Sequence, residues 1–175
     1  MSESGSQGKT NDGRSRHADR SSEQRRDRFA GKVLFATGAG SGIAAATARR
    51  FAAEGGCVAV ADLNRDNAEA VAVEFDGSIA TGCDVADERS VRDAVRTTCK
   101  QLGRIDCVYN AAGHHVSGRI EECTLEVWNR MLAVHATGTF LVCRETLPAL
   151  RAAGGGAIVN TTSSVALIGR PGLGA

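Results

Sequence analysis

At 175 residues, with 42% apolar side chains, 4% aromatics and a formal net charge of +1, the chain can build one packed domain, its core mostly small aliphatics. The near-neutral balance excludes a strong global field aimed at nucleic acid or an anionic membrane. Six cysteines (Cys57, Cys83, Cys99, Cys107, Cys123 and Cys143) contain no CxxC pair. That argues against a zinc ribbon or a redox motif, and for buried, reduced thiols in a cytoplasmic setting.

In chain order, residues 1–28 come first and hold no Val, Ile or Leu. Such a segment buries too little apolar surface to offset the entropy of ordering, so a disordered polar tail is expected. Its seven basic residues (Lys9, Arg14, Arg16, Arg20, Arg25, Arg26, Arg28) are interleaved with five acids (Glu3, Asp12, Asp19, Glu23, Asp27). Mixed signs favour a solvated extension over a nucleic-acid arm or an organelle address. No apolar h-region of a secretory signal is present, and no apolar run reaches the roughly 18–20 residues of a membrane helix.

Residues 29–175 then alternate between short apolar runs and helical stretches. Strands are expected over 32–37 (KVLFAT), 57–62 (CVAVAD), 78–83, 105–110 and 157–162. Helices are expected over 42–54, 64–75, 87–102 and 125–150, the last stopping near Pro148 and the glycines that follow it. In the third helix Asp87 suits the N-cap, with Val91, Ala94, Val95 and Thr98 on one face. Strands that read as continuous apolar runs and alternate with helices indicate a parallel sheet covered on both faces.

The first strand meets the first helix at Thr37-Gly38-Ala39-Gly40-Ser41-Gly42-Ile43-Ala44. A diphosphate needs backbone N–H groups aimed at it and no Cβ in the way; glycines permit both, and a helix N-terminus adds a favourable dipole. Glycines also simply make tight turns, so context decides. Here a strand precedes, a helix follows, and Asp62 closes the second strand. A carboxylate at that point accepts hydrogen bonds from both ribose hydroxyls of an adenosine and repels a 2′-phosphate, which indicates NAD rather than NADP. Asp62 read without the turn is an ordinary strand-end acid or helix cap.

The GxxxGxA spacing of Gly38, Gly42 and Ala44 resembles the TGxxxGxG turn of the short-chain dehydrogenase/reductase family. Asp84-Val85 after the third strand, Asn110-Ala111-Ala112-Gly113 after the fourth, and Ser163 three residues beyond Asn160 match that family in order. The resemblance spans about residues 30 to 175. It implies a doubly wound parallel sheet, the Rossmann α/β fold, incomplete after the fifth strand. It implies NAD held by Gly38, Ser41, Gly42, Ile43, Asp62, Asp84, Val85, Asn110, Ala111 and Gly113, with Ser163 as a catalytic hydroxyl. Two departures stand out. Ala44 replaces the third glycine, and His135 stands where the family usually has Asn, which helps hold a water in its proton relay. His135 either substitutes for that Asn, tunes the relay or impairs it. The His114-His115 pair falls where the family's loop faces substrate, and lines a pocket or is merely exposed rather than binding a metal.

The family's serine works with a tyrosine and a lysine spaced YxxxK. By the family spacing the tyrosine would fall immediately after Ala175, and the only tyrosine, Tyr109, has no lysine four residues on. The expectation is a short-chain oxidoreductase that moves hydride between nicotinamide and an alcohol or ketone, a homo-oligomer in its full-length form. The 175 residues alone are expected to be inactive for want of the Tyr/Lys pair. A non-catalytic dinucleotide-binding module or truncated isoform is the alternative. A Rossmann-like methyltransferase fits less well, because residues 110–113 and Ser163 have no part in it.

Overall fold

A computed structural model describes residues 27–173; most of the expected tail lies outside the described residues. Its last two residues do not behave as a tail. Residues 27–30 form a turn. The Arg28 guanidinium lies 2.5 Å from the carboxylate of buried Glu54, and Phe29 stacks on Phe51 with ring centroids 4.1 Å apart. These contacts are long-range and not visible in a local pattern.

Five parallel strands form one sheet: β1 (Val33–Thr37), β2 (Cys57–Asp62), β3 (Ile79–Gly82), β4 (Cys107–Asn110) and β5 (Ala157–Asn160), in the order β3-β2-β1-β4-β5. The helices between them are α1 (Gly42–Ala53), α2 (Arg65–Ala72), α3 (Glu88–Leu102), α4 (Leu125–Leu132) and α5 (Gly138–Ala152). β1 and β2 are buried on both faces, as continuous apolar runs require. Leu34, Ala36, Val58 and Val60 pack with Ala45, Ala48 and Phe51 of α1 and Val71 of α2. Phe35, Ala59, Ala61 and Val108 pack on the other side with Val91 and Val95 of α3 and Leu141 and Val142 of α5. This is the doubly wound α/β arrangement expected from the sequence.

Local signals set the element ends. Asp87 caps α3, its Oδ1 accepting the N–H groups of Arg89 at 2.7 Å and Ser90 at 3.1 Å. The expected face, Val91, Ala94, Val95 and Thr98, is the buried one. Asn64 caps α2 in the same manner. Asp106, just before β4, ties that strand to β1: its carboxylate accepts the Val33 amide at 3.0 Å and the Lys32 ammonium at 3.1 Å, and Arg104 forks onto it.

The expected helix over 125–150 is helical throughout, but one π turn interrupts its hydrogen-bond pattern and divides it into α4 and α5. A π turn (Ala133–Thr137) joins α4 to α5, and α5 runs through Pro148 to Ala152. Proline removes one intrahelical hydrogen bond, but Leu141, Val142, Thr146 and Leu150 are buried and hold the helix against the core. Tertiary packing outweighs the local breaker. The cysteines also differ from expectation: all six are free, but only Cys83 is buried, the others being half-exposed, Cys57 and Cys107 at strand starts, Cys99 and Cys143 on helices and Cys123 in the connection before α4. Among the described residues no helix is long and apolar enough to cross a membrane.

Candidate active site

β1 lies between β2 and β4, so the chain leaves β1 in one direction and β4 in the other. The carboxyl ends of the strands open a crevice at this point, where ligands bind in open α/β sheets. A cavity of about 620 Å³ occupies it. Gly38, Ser41, Gly42 and Ile43 form one wall, Asp62 and Leu63 the β2 end, Asp84 and Val85 the β3 end, and Ala111, Gly113 and His114 the opposite wall.

The turn is built for close approach. Gly38 has φ +65°, and a Cβ there would come 2.8 Å from the Cα of Ala112, so the β1 turn and the loop after β4 touch through bare backbone. Thr37 locks the same pair from below: its hydroxyl oxygen accepts the N–H groups of Ala111 and Ala112, each at 3.2 Å. α1 begins at Gly42, and Ser41 at its N-cap makes no side-chain capping bond. The first N–H groups of α1 therefore lack helical partners and lie at the cavity wall, where a diphosphate oxygen could accept from them. Ala44, in place of the third glycine, is buried, in the core cluster with Ala48 and Val58.

Asp62 has two structural bonds of its own. Oδ2 accepts the Gly40 amide and Oδ1 the Asn64 amide, both at 2.9 Å. Each carboxylate oxygen keeps a further lone pair, so the group both pins the glycine turn and remains able to accept ribose hydroxyls. Asp84 is held likewise, its Oδ1 accepting the Ala86 amide at 3.0 Å and its own amide donating to the Ser90 hydroxyl at 3.0 Å. Beneath it, Cys83 is buried; burial, with Asp84 and Asp62 nearby, pushes its thiol up to about 12, so it stays protonated.

Nine of the ten sequence-expected dinucleotide residues line the cavity; Asn110 does not. Its buried amide donates to Asn160 Oδ1 at 2.8 Å, which fastens β4 to β5 under the cavity floor. Sequence reasoning passed over Leu63, Arg130, Val134 and Thr161, which also line the cavity. Arg130 and Val134 stand four apart on one helical face, a spacing that carries no chemistry until the helix is placed over the crevice.

Ser163 and His135 line a second cavity of about 450 Å³, with His115, Trp128 and Met131. Ser163 is exposed, and its hydroxyl accepts the Val165 amide at 3.4 Å. His114 lines both cavities and stands at their junction. His135 lies in the π turn and reaches back to the loop: its Nε2 is 2.9 Å from the His114 carbonyl oxygen. A Cβ on Gly113 would come 2.7 Å from the His135 ring, so the glycine makes room for the imidazole. The two histidine rings sit 5.5 Å apart. Burial lowers the His114 pKa, with His135 and Arg130 adding to the effect, which shifts its imidazole toward the neutral form. Among the described residues no group of three His, Cys, Asp or Glu side chains could hold a metal ion.

Comparison with known proteins agrees with this geometry. The family model described as short chain dehydrogenase matches residues 32–175. D-threitol dehydrogenase of Mycolicibacterium smegmatis is 41% identical over 145 residues, which are 81% of this chain and 56% of that protein. L-fucose dehydrogenase of Bos taurus is 35% identical over 144 residues, 82% of this chain and 53% of that protein. Among solved structures, the 3-ketoacyl-(acyl-carrier-protein) reductase of Brucella melitensis complexed with NADH superposes with TM-score 0.78 at 33% identity, covering 82% of this chain and 62% of that one. NAD+-bound xylitol dehydrogenase superposes with TM-score 0.77 at 33% identity, covering 83% and 58%. The chain thus spans a little over half the length of these two curated relatives. A glycine turn at the β1–β4 crevice, an acid at the end of β2, and a family match running from β1 past Ser163 agree on one assignment: this chain belongs to the short-chain dehydrogenase family.

Proposed function

We propose that this chain carries the NAD(H)-binding and serine-bearing part of an oxidoreductase that interconverts a secondary alcohol and its ketone. The observation that supports this best is the meeting of two cavities at His114. One is lined by the glycine turn and Asp62, the other by Ser163. A dinucleotide along the first would bring its reactive end toward the second.

The roles follow from donor and acceptor chemistry. The N–H groups at the start of α1 hold the diphosphate, and Asp62 accepts the adenosine ribose hydroxyls. Asp84 and Val85 meet the adenine. Asp62 supports NAD over NADP, because it would repel a 2′-phosphate and residues 38–42 contain no Lys or Arg to attract one. Bound nicotinamide supplies or accepts the hydride. Ser163 donates a hydrogen bond to the reacting oxygen, and the imidazole of His114 lies at the edge of the same space. The proton belongs to a Tyr/Lys pair of the YxxxK kind, which is not among these residues. The 175 residues alone are therefore expected to bind dinucleotide without turning over an alcohol. A small polyhydroxylated substrate is the first class to try. Relatives are named for threitol, fucose and xylitol, and the second cavity sets Ser163 and histidines against Trp128 and Met131.

The test is titration of the chain with NAD and NADP, together with NAD reduction over a panel of polyols and secondary alcohols, with and without an appended YxxxK-bearing segment. NAD should bind more tightly than NADP, and Asp62→Ala should weaken NAD and narrow the preference. Turnover should require the appended segment and fall about 10–1000-fold in Ser163→Ala. Tighter NADP binding would reverse the cofactor assignment. Dinucleotide binding with no turnover by any extended chain would favour a non-catalytic module.

A further inference from the structure

Among the described residues, Arg130 is the only lysine or arginine that lines the 620 Å³ cavity. It rises from α4 on the outer side, and its guanidinium reaches across to Asp84, with Nη1 3.6 Å from Oδ2. Asp84 is itself immobilised through Oδ1 and through its own amide, so Arg130 approaches a fixed acceptor. Val134, one turn further along the same helical face, lines the cavity and packs into the core beneath it. Leu63 and Val85 supply apolar surface at the same end of the cavity. The guanidinium is half-exposed, lines the cavity and bonds to no other described side chain.

We propose that Arg130 is an adenine-contacting residue that closes the β3 end of the dinucleotide cleft. A planar, weakly hydrated cation stacks on a heteroaromatic ring in a way an ammonium cannot. The apolar surfaces of Leu63, Val85 and Val134 define a slot for a flat base, and Asp84 Oδ2, near Arg130, retains acceptor capacity for an exocyclic amine. Arg130 also partly offsets the negative charge of Asp62 and Asp84, which otherwise opposes a diphosphate-bearing ligand. This inference rests on the dinucleotide reading above, and names the residue that sets affinity for its adenine half.

The experiment is calorimetric titration of the 175-residue chain with NAD and with ADP-ribose, which lacks nicotinamide, so no turnover is needed. It compares the unchanged chain with Arg130→Ala, Arg130→Lys, Asp84→Ala and the double variant, each checked for an unchanged melting temperature. Arg130→Ala should weaken NAD and ADP-ribose by the same factor, about 5–20-fold. Arg130→Lys should recover little of it, and the loss should persist in the Asp84→Ala background. Three results overturn the proposal: equal affinities in Arg130→Ala and the unchanged chain, full recovery by lysine, or a loss that disappears once Asp84 is removed, which would reduce Arg130 to a holder of Asp84. Failure of the unchanged chain to bind either ligand would instead remove the dinucleotide reading itself.

Discussion

At His135 a single ring nitrogen faces both backbone groups of His114, 2.9 Å from the carbonyl oxygen and 3.4 Å from the amide. One nitrogen cannot donate and accept at once; the shorter contact to the carbonyl calls for a proton on Nε2. His135 then anchors the loop that separates the two cavities. This loop-holding contact is distinct from the water-holding role expected of the family's Asn. His135→Asn offers an amide donor and acceptor on a shorter side chain, and should keep NAD affinity within about twofold. His135→Ala should raise the NAD dissociation constant about 3–10-fold, the scale of one lost hydrogen bond. Equal affinity for the Ala variant in the same titration would mean the loop holds its place without the ring.

Between elements, Asp106 joins β4 to β1 and is the clearest source of pH dependence. Burial pushes its pKa up, but the hydrogen bonds from Arg104, the Val33 amide and Lys32 outweigh that and hold it below the usual carboxylate range. A carboxyl lowered in the folded state stabilises the fold above its unfolded pKa of about 3.9; that contribution is lost as pH falls through the folded value. Chemical denaturation from pH 7 down to pH 2 should therefore show stability falling below about pH 4. Asp106→Asn should flatten this limb and cost about 1.5–3 kcal/mol at neutral pH, because it removes the charge and replaces one acceptor oxygen by an NH2 donor that faces the donors of Arg104, Lys32 and Val33. The α4–α5 junction is the other decision made between elements. The π turn widens the helix at His135 and directs that ring at the loop, as π bulges near functional sites commonly do.

For the molecule as a whole, the practical question is where the domain begins. Arg28 and Phe29 belong to it through Glu54 and Phe51, although composition assigns residue 28 to the polar segment. A chain starting at residue 27 is expected to melt at the same temperature as the 175-residue chain. Phe29→Ala should cost about 1–3 kcal/mol, below the range for a fully buried phenylalanine because Phe29 is half-buried. A melting temperature unchanged by Phe29→Ala would show that the stack contributes nothing. Among the described residues β5 stands at one edge of the sheet, with Val159 exposed at 56%.

The sequence by itself determined the layer pattern, the glycine turn, the acid at the end of β2 and the order of the motifs. Each of these depends on residues close together along the chain. Periodicity reports which faces are apolar, and a turn reports its own glycines. The α3 cap and buried face, read from spacing alone, stand as expected. Only the tertiary structure decided that Asn110 fastens two strands instead of lining the cleft, that α5 runs through Pro148, that Asp62 pins the turn it was expected to serve, and that His135 and Arg130 reach their partners. Those outcomes depend on side chains from 21 to 50 positions apart and on a helix held by its buried face. Local sequence limits what each residue can do, and packing selects the partner it meets.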